Sequence, residues 1–73
     1  MATPTEAVVQ LIKTMNGSSS ISVEIKVAAA EGLGYAGGAT AREALIKIIN
    51  GSSSVSAELK AAAAKALGRA TLV

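Results

Sequence analysis

Cysteine, histidine, aspartate, tryptophan and phenylalanine are all missing from these 73 residues, and proline and tyrosine occur once each. Without cysteine there is no disulfide and no thiolate metal site. Without histidine the chain lacks the side chain most used as a general base near neutral pH, and the commonest metal ligand. Five glutamates are the only acids, too few for an oxygen-lined calcium or zinc site. No apolar run approaches the ~20 residues needed to cross a bilayer. Seven basic residues against five acidic ones leave a net charge of +2, and no two basic residues are adjacent, so the charge reads as an ordinary surface. The opening Met1-Ala2-Thr3-Pro4-Thr5-Glu6 has no basic segment leading into an apolar one. The expectations are a cytoplasmic location, no membrane partner, no cofactor and no enzymatic activity.

What the chain does have is a repeat. Leu11-Ile12-Lys13 leads into Asn16-Gly17-Ser18-Ser19-Ser20, and 34 residues later Leu45-Ile46-Lys47 leads into Asn50-Gly51-Ser52-Ser53-Ser54. Aligning 11–36 with 45–70 gives 17 identities in 26 positions. A period of this length marks stacked helical units, each burying its apolar face on the next. Apolar residues make up 51% of the chain, but many are alanines, which let helices approach closely while burying little area each. A chain this short buries only ~60% of its unfolded surface. The core is therefore expected to be under-filled and completed by further burial against another molecule.

Four helices are predicted. Thr3-Pro4-Thr5-Glu6 is a capping box with proline at the first helical position. It opens a helix over about 4–15, with Val8, Leu11, Ile12 and Met15 on one face. Asn16-Gly17 is expected to end it through a left-handed glycine. A second helix runs over about 22–35 with Ile25, Ala28, Ala29 and Leu33 inward, and Gly32 and Gly34 leave its end either frayed or very closely packed. After the Gly37-Gly38 turn, Thr40-Ala41-Arg42-Glu43 reads as another capping box for a helix over about 41–50. The fourth helix, about 56–70, carries Leu59, Ala62, Ala63, Ala66 and Leu67 inward. Ile21–Val27 alternates like a strand, but its copy, Val55–Ala61, runs into an alanine-rich helical segment, and the repeat decides for helix.

Ile25-Lys26-Val27-Ala28-Ala29-Ala30-Glu31-Gly32-Leu33-Gly34 and Leu59-Lys60-Ala61-Ala62-Ala63-Ala64-Lys65-Ala66-Leu67-Gly68 resemble the second helix of HEAT-like repeats, of the type found in phycobilisome lyases. Glu43–Ile49 resembles the first helix of that unit. Asn16-Gly17 and Asn50-Gly51 stand where the family usually has an acidic residue, and Lys26 and Lys60 where it commonly has arginine. The resemblance implies an all-α fold: one domain over 1–73, made of two helix-turn-helix repeats (about 4–36 and 40–70). These would form a short right-handed α-solenoid completed by oligomerisation. It implies a scaffold rather than a chemistry, because helical repeats serve many purposes.

Candidate sites follow from the repeat. Ser18, Ser19 and Ser20, and Ser52, Ser53 and Ser54, precede helix N-termini, where backbone N–H groups favour anions. They read either as a paired anion or phosphopeptide edge or as plain helix capping. Lys13 with Lys47, and Lys26 with Lys60, recur at the repeat spacing and form candidate basic rows; the bland reading is a solvated surface. Tyr35 has Arg69 as its counterpart and is read as an exposed interface anchor or a helix-end cap. The apolar tail residues Leu72 and Val73 are expected to pack on something. The leading expectation is a non-enzymatic protein-interaction module that pairs with itself, most simply as a twofold dimer, and with an unknown protein. A nucleic-acid adaptor using the lysine rows and an accessory factor to a chromophore lyase are the alternatives.

Overall fold

The computed structural model describes residues 3–18, 20–52 and 54–72. They form four helices and, among the described residues, no strand: α1 (Pro4–Met15), α2 (Val23–Ala36), α3 (Gly38–Ile49) and α4 (Ala57–Ala70). The strand-like alternation at Ile21–Val27 thus enters a helix, as the repeat predicts.

Local chemistry sets three of the four starts. At α1 the Thr3 hydroxyl accepts from the Glu6 N–H at 3.1 Å, while the Thr3 N–H donates to the Glu6 carboxylate at 2.9 Å. At α2 and α4 the serine just before the helix accepts from the N–H three residues on, Ile25 to Ser22 at 3.3 Å and Leu59 to Ser56 at 3.1 Å. The expected capping box at Thr40–Glu43 does not form. Helix α3 begins earlier, at Gly38, with no side-chain cap. Gly37 (φ 67°) and Gly38 (φ 86°) take backbone angles that only glycine adopts cheaply. They reverse the chain so sharply that Thr40 already lies within the first turn.

The loops after α1 and α3 also differ from expectation. Neither Gly17 nor Gly51 is left-handed; positive φ occurs only at Gly37 and Gly38 among the described residues. The glycines are there for room. A Cβ at Gly17 would run into Ile21 Cδ1, and one at Gly51 would lie 2.8 Å from Val55 Cγ2 and 3.0 Å from the Ile48 carbonyl. Each loop closes with the same bonds: Gly17 N–H to Thr14 O and Ile21 N–H to Ser18 O, Gly51 N–H to Ile48 O and Val55 N–H to Ser52 O.

Packing joins the two helical pairs chiefly through α2 and α4, while α1 and α3 touch only lightly. The α2–α4 crossing is tight because Gly34 has no side chain: a Cβ there would sit 2.9 Å from both Cα and O of Ala66. Of the two outcomes predicted for the glycine-containing end of α2, close packing is the one realised. Among the described residues, Met15, Leu33 and Leu45 are the large, fully buried side chains, and eight of the thirteen buried apolar residues are alanine. The core is therefore thin.

Two predicted core positions are corrected. Ile25 and Ala28 on α2 are exposed, whereas their counterparts Leu59 and Ala62 on α4 are buried. The hairpins are locally alike, but only the second has a repeat lying over this side. Ala30, Ala70 and Gly34 are buried as well, outside the predicted inward set. Ile49 and Leu67 are half-buried.

Candidate functional site

The serine loops are built alike. Ser18 Oγ and Ser20 Oγ lie 2.6 Å apart, and so do Ser52 Oγ and Ser54 Oγ. The Ser20 and Ser54 N–H groups donate back to Ser18 and Ser52 at 3.4 and 3.3 Å. These four serines are exposed, and their hydroxyls bond to one another. The helix caps come from Ser22 and Ser56 rather than from Ser18, Ser20, Ser52 or Ser54. Ser19 and Ser53 lie outside the described residues.

A groove of about 490 Å³ runs between the two loops. One wall is Asn16, Gly17, Ile21 and Ser22, and the other is Ser54, Val55, Ser56 and Leu59. Lys26, half-buried, is the cation at this groove. The other basic candidates are dispersed over the helices. Lys13 on α1 and Lys47 on α3 are exposed, while Lys60 on α4 is half-buried.

Tyr35 is 67% exposed, and its ring lies beneath the Arg69 guanidinium, 4.5 Å from Cζ to the ring centroid. It does not cap the helix end. Instead the two occupants of one repeat position, a tyrosine and an arginine, meet across the α2–α4 contact as a cation–π pair. Glu31 and Lys65 are also counterparts, of opposite charge, and line the same small groove of about 160 Å³. Two of the places where the repeats differ are thus places where they complement one another. The 34-residue spacing was the signal available in the sequence for this pairing.

Leu72 is 84% exposed; Val73 lies outside the described residues. Sequence reasoning missed other uncovered apolar residues, namely Val9 on α1, Val23 and Ile25 on α2 and Ile46 on α3. Val9 also lines a notch of about 230 Å³ between the starts of α1 and α3, with Pro4, Val8, Gly37 and Ala39.

The Thr3 backbone N–H, and then its hydroxyl, hold the fully exposed Glu6 carboxyl below the usual carboxylate range. Among the described residues no three metal-ligating side chains gather, and no helix is long and apolar enough to cross a membrane. Comparison with protein families, with curated proteins and with solved structures gives no match to this chain.

Proposed function

We propose that this chain is a non-enzymatic protein-interaction module, two HEAT-like helical pairs forming a short right-handed α-solenoid whose end faces are covered by another protein surface. One comparison carries the reading. Ile25 is 53% exposed, and Leu59, at the same position of the next repeat, is 5% exposed. The same site is covered in one repeat and bare in the other, in a chain whose core is mostly alanine. A bare isoleucine beside Val23 and Ala28 gives a partner apolar area at about 25 cal/mol per Å² buried. Helical repeats commonly bind through such surfaces.

The test places a photo-crosslinking amino acid at Ile25 and, as control, at the exposed Lys13, in cells expressing the chain. The expected result is a discrete adduct at Ile25 alone. Excess wild-type chain competes with it, and chain carrying Ile25→Glu does not. Equal adducts at both positions, or competition by Ile25→Glu, would remove the reading.

A further inference from the structure

The repeat acts as a ruler for the two ends of the molecule. Residues of the first repeat buried more deeply than their counterparts owe that burial to the second repeat. Ala30, Leu33 and Gly34 are buried, whereas Ala64 and Gly68 are exposed and Leu67 is half-buried. The converse holds for the other side. Ala41, Leu59, Ala62 and Ala70 are buried, whereas Ala7, Ile25, Ala28 and Ala36 are exposed. The chain thus makes one interface between unlike faces and leaves one copy of each face bare.

The bare face at the Gly68 end keeps the residues of the used one, and the bare face of the first repeat keeps its alanines. Ala64, Leu67 and Gly68 repeat Ala30, Leu33 and Gly34 without change. Ala7, Ala28 and Ala36 repeat Ala41, Ala62 and Ala70, while Ile25 stands in place of Leu59, Gly32 of Ala66, Gln10 of Ala44 and Thr14 of Ile48. We propose that a second copy of this chain docks head to tail. Its first repeat would take, on the Gly68 end, the place that the second repeat takes on the first. The proposal rests on the interaction-module reading and names the partner.

Two geometric facts support this occupant. A Cβ at Gly34 would meet the backbone of Ala66 at 2.9 Å, whereas one at Gly68 would meet nothing within 4 Å. The tight seat is therefore present and empty, and Gly32 of the incoming copy, counterpart of Ala66, has the backbone that fills it. The chain path also differs between the two ends. Gly37 turns back into α3 at φ 67°, ψ −163°, but its counterpart Thr71 stays helical at φ −78°, ψ −12°. Thr71 therefore continues along α4. Such an interface joins unlike surfaces, so it builds rings or open stacks rather than a twofold dimer. This departs from the twofold pairing that the sequence suggests most simply.

The test uses the purified 73-residue chain in sedimentation velocity from micromolar to millimolar concentration. Wild type is expected to associate beyond a dimer. Gly68→Ala should weaken association about tenfold or more, because its methyl meets the incoming backbone, while its monomer melts no lower than wild type. Ile25→Glu, on the opposite bare face, should likewise weaken association while staying folded by circular dichroism. Mixing the two variants should restore a 1:1 dimer that grows no further, since each keeps the face the other lacks. A wild type that is monomeric at millimolar concentration overturns the proposal. So does Gly68→Ala that associates like wild type, or a mixture that shows no rescue. If the chain stays monomeric while the Ile25 crosslink in cells gives its specific adduct, head-to-tail pairing fails and the interaction module stands.

Discussion

Gly34→Ala and Gly68→Ala are the same chemical change at the same repeat position, and they should act in opposite directions. Each glycine lies two residues before its helix ends, at Ala36 and at Ala70. Replacing glycine with alanine in a helix gains up to about 1 kcal/mol of propensity, and less near a frayed end. At Gly68 nothing opposes that gain. At Gly34 the new methyl would stand 2.9 Å from Ala66 Cα and O and 3.0 Å from its Cβ. An ordinary contact between carbons needs about 3.5–4.0 Å. The obstacle is backbone, so no rotamer change relieves it and the two helices must separate. Overpacking of this kind costs about 1–3 kcal/mol. Because propensity cancels between the two variants, their difference isolates the crossing. Gly34→Ala should be the less stable by about 1–3 kcal/mol. For a chain this small that is a melting-temperature gap of roughly 4–8 °C per kcal/mol. Circular dichroism melts and urea titrations at low micromolar concentration give the comparison. Equal stabilities, or a more stable Gly34→Ala, would refute the close α2–α4 approach.

Other perturbations probe separate parts of the fold. Ser22→Ala and Ser56→Ala should each lose about 1 kcal/mol as the first-turn N–H loses its acceptor, whereas Ser20→Ala or Ser54→Ala should change the melt little. Because the Glu6 carboxyl is held below its usual range in the folded chain, the stability it adds is present above the unfolded carboxylate pKa and lost as pH falls through the folded one. Protection factors of the α1 amides, taken relative to the intrinsic exchange rate at each pH, should therefore fall in acid, and Glu6→Gln should remove most of that pH dependence. A double-mutant cycle on Tyr35→Leu and Arg69→Gln should return a coupling of about 0.5–1 kcal/mol for an exposed cation–π pair; no coupling would mean that the stacked geometry does not persist in solution.

Helix number, order and most boundaries were legible from the residues because their causes act over one or two turns. A threonine, serine or glutamate at a cap, a proline at the first helical position and the 34-residue echo all work without knowledge of distant neighbours. Where a local rule was applied to a position that tertiary packing governs, it misled. Thr40 fits the cap rule, but the reversal at Gly37 and Gly38 commits it to the helix. Gly17 fits the left-handed cap rule, yet it and Gly51 are small so that Ile21 and Val55 can fold back. Burial was the least legible property. Ile25 and Leu59, or Gly34 and Gly68, sit in matching local sequence, and no periodicity distinguishes them. Their fates differ because the desolvation of a side chain depends on what lies across from it, and each repeat has the other on one side only. The pairing of Tyr35 with Arg69 has the same origin: two residues 34 apart meet only when one helical pair is laid on the next.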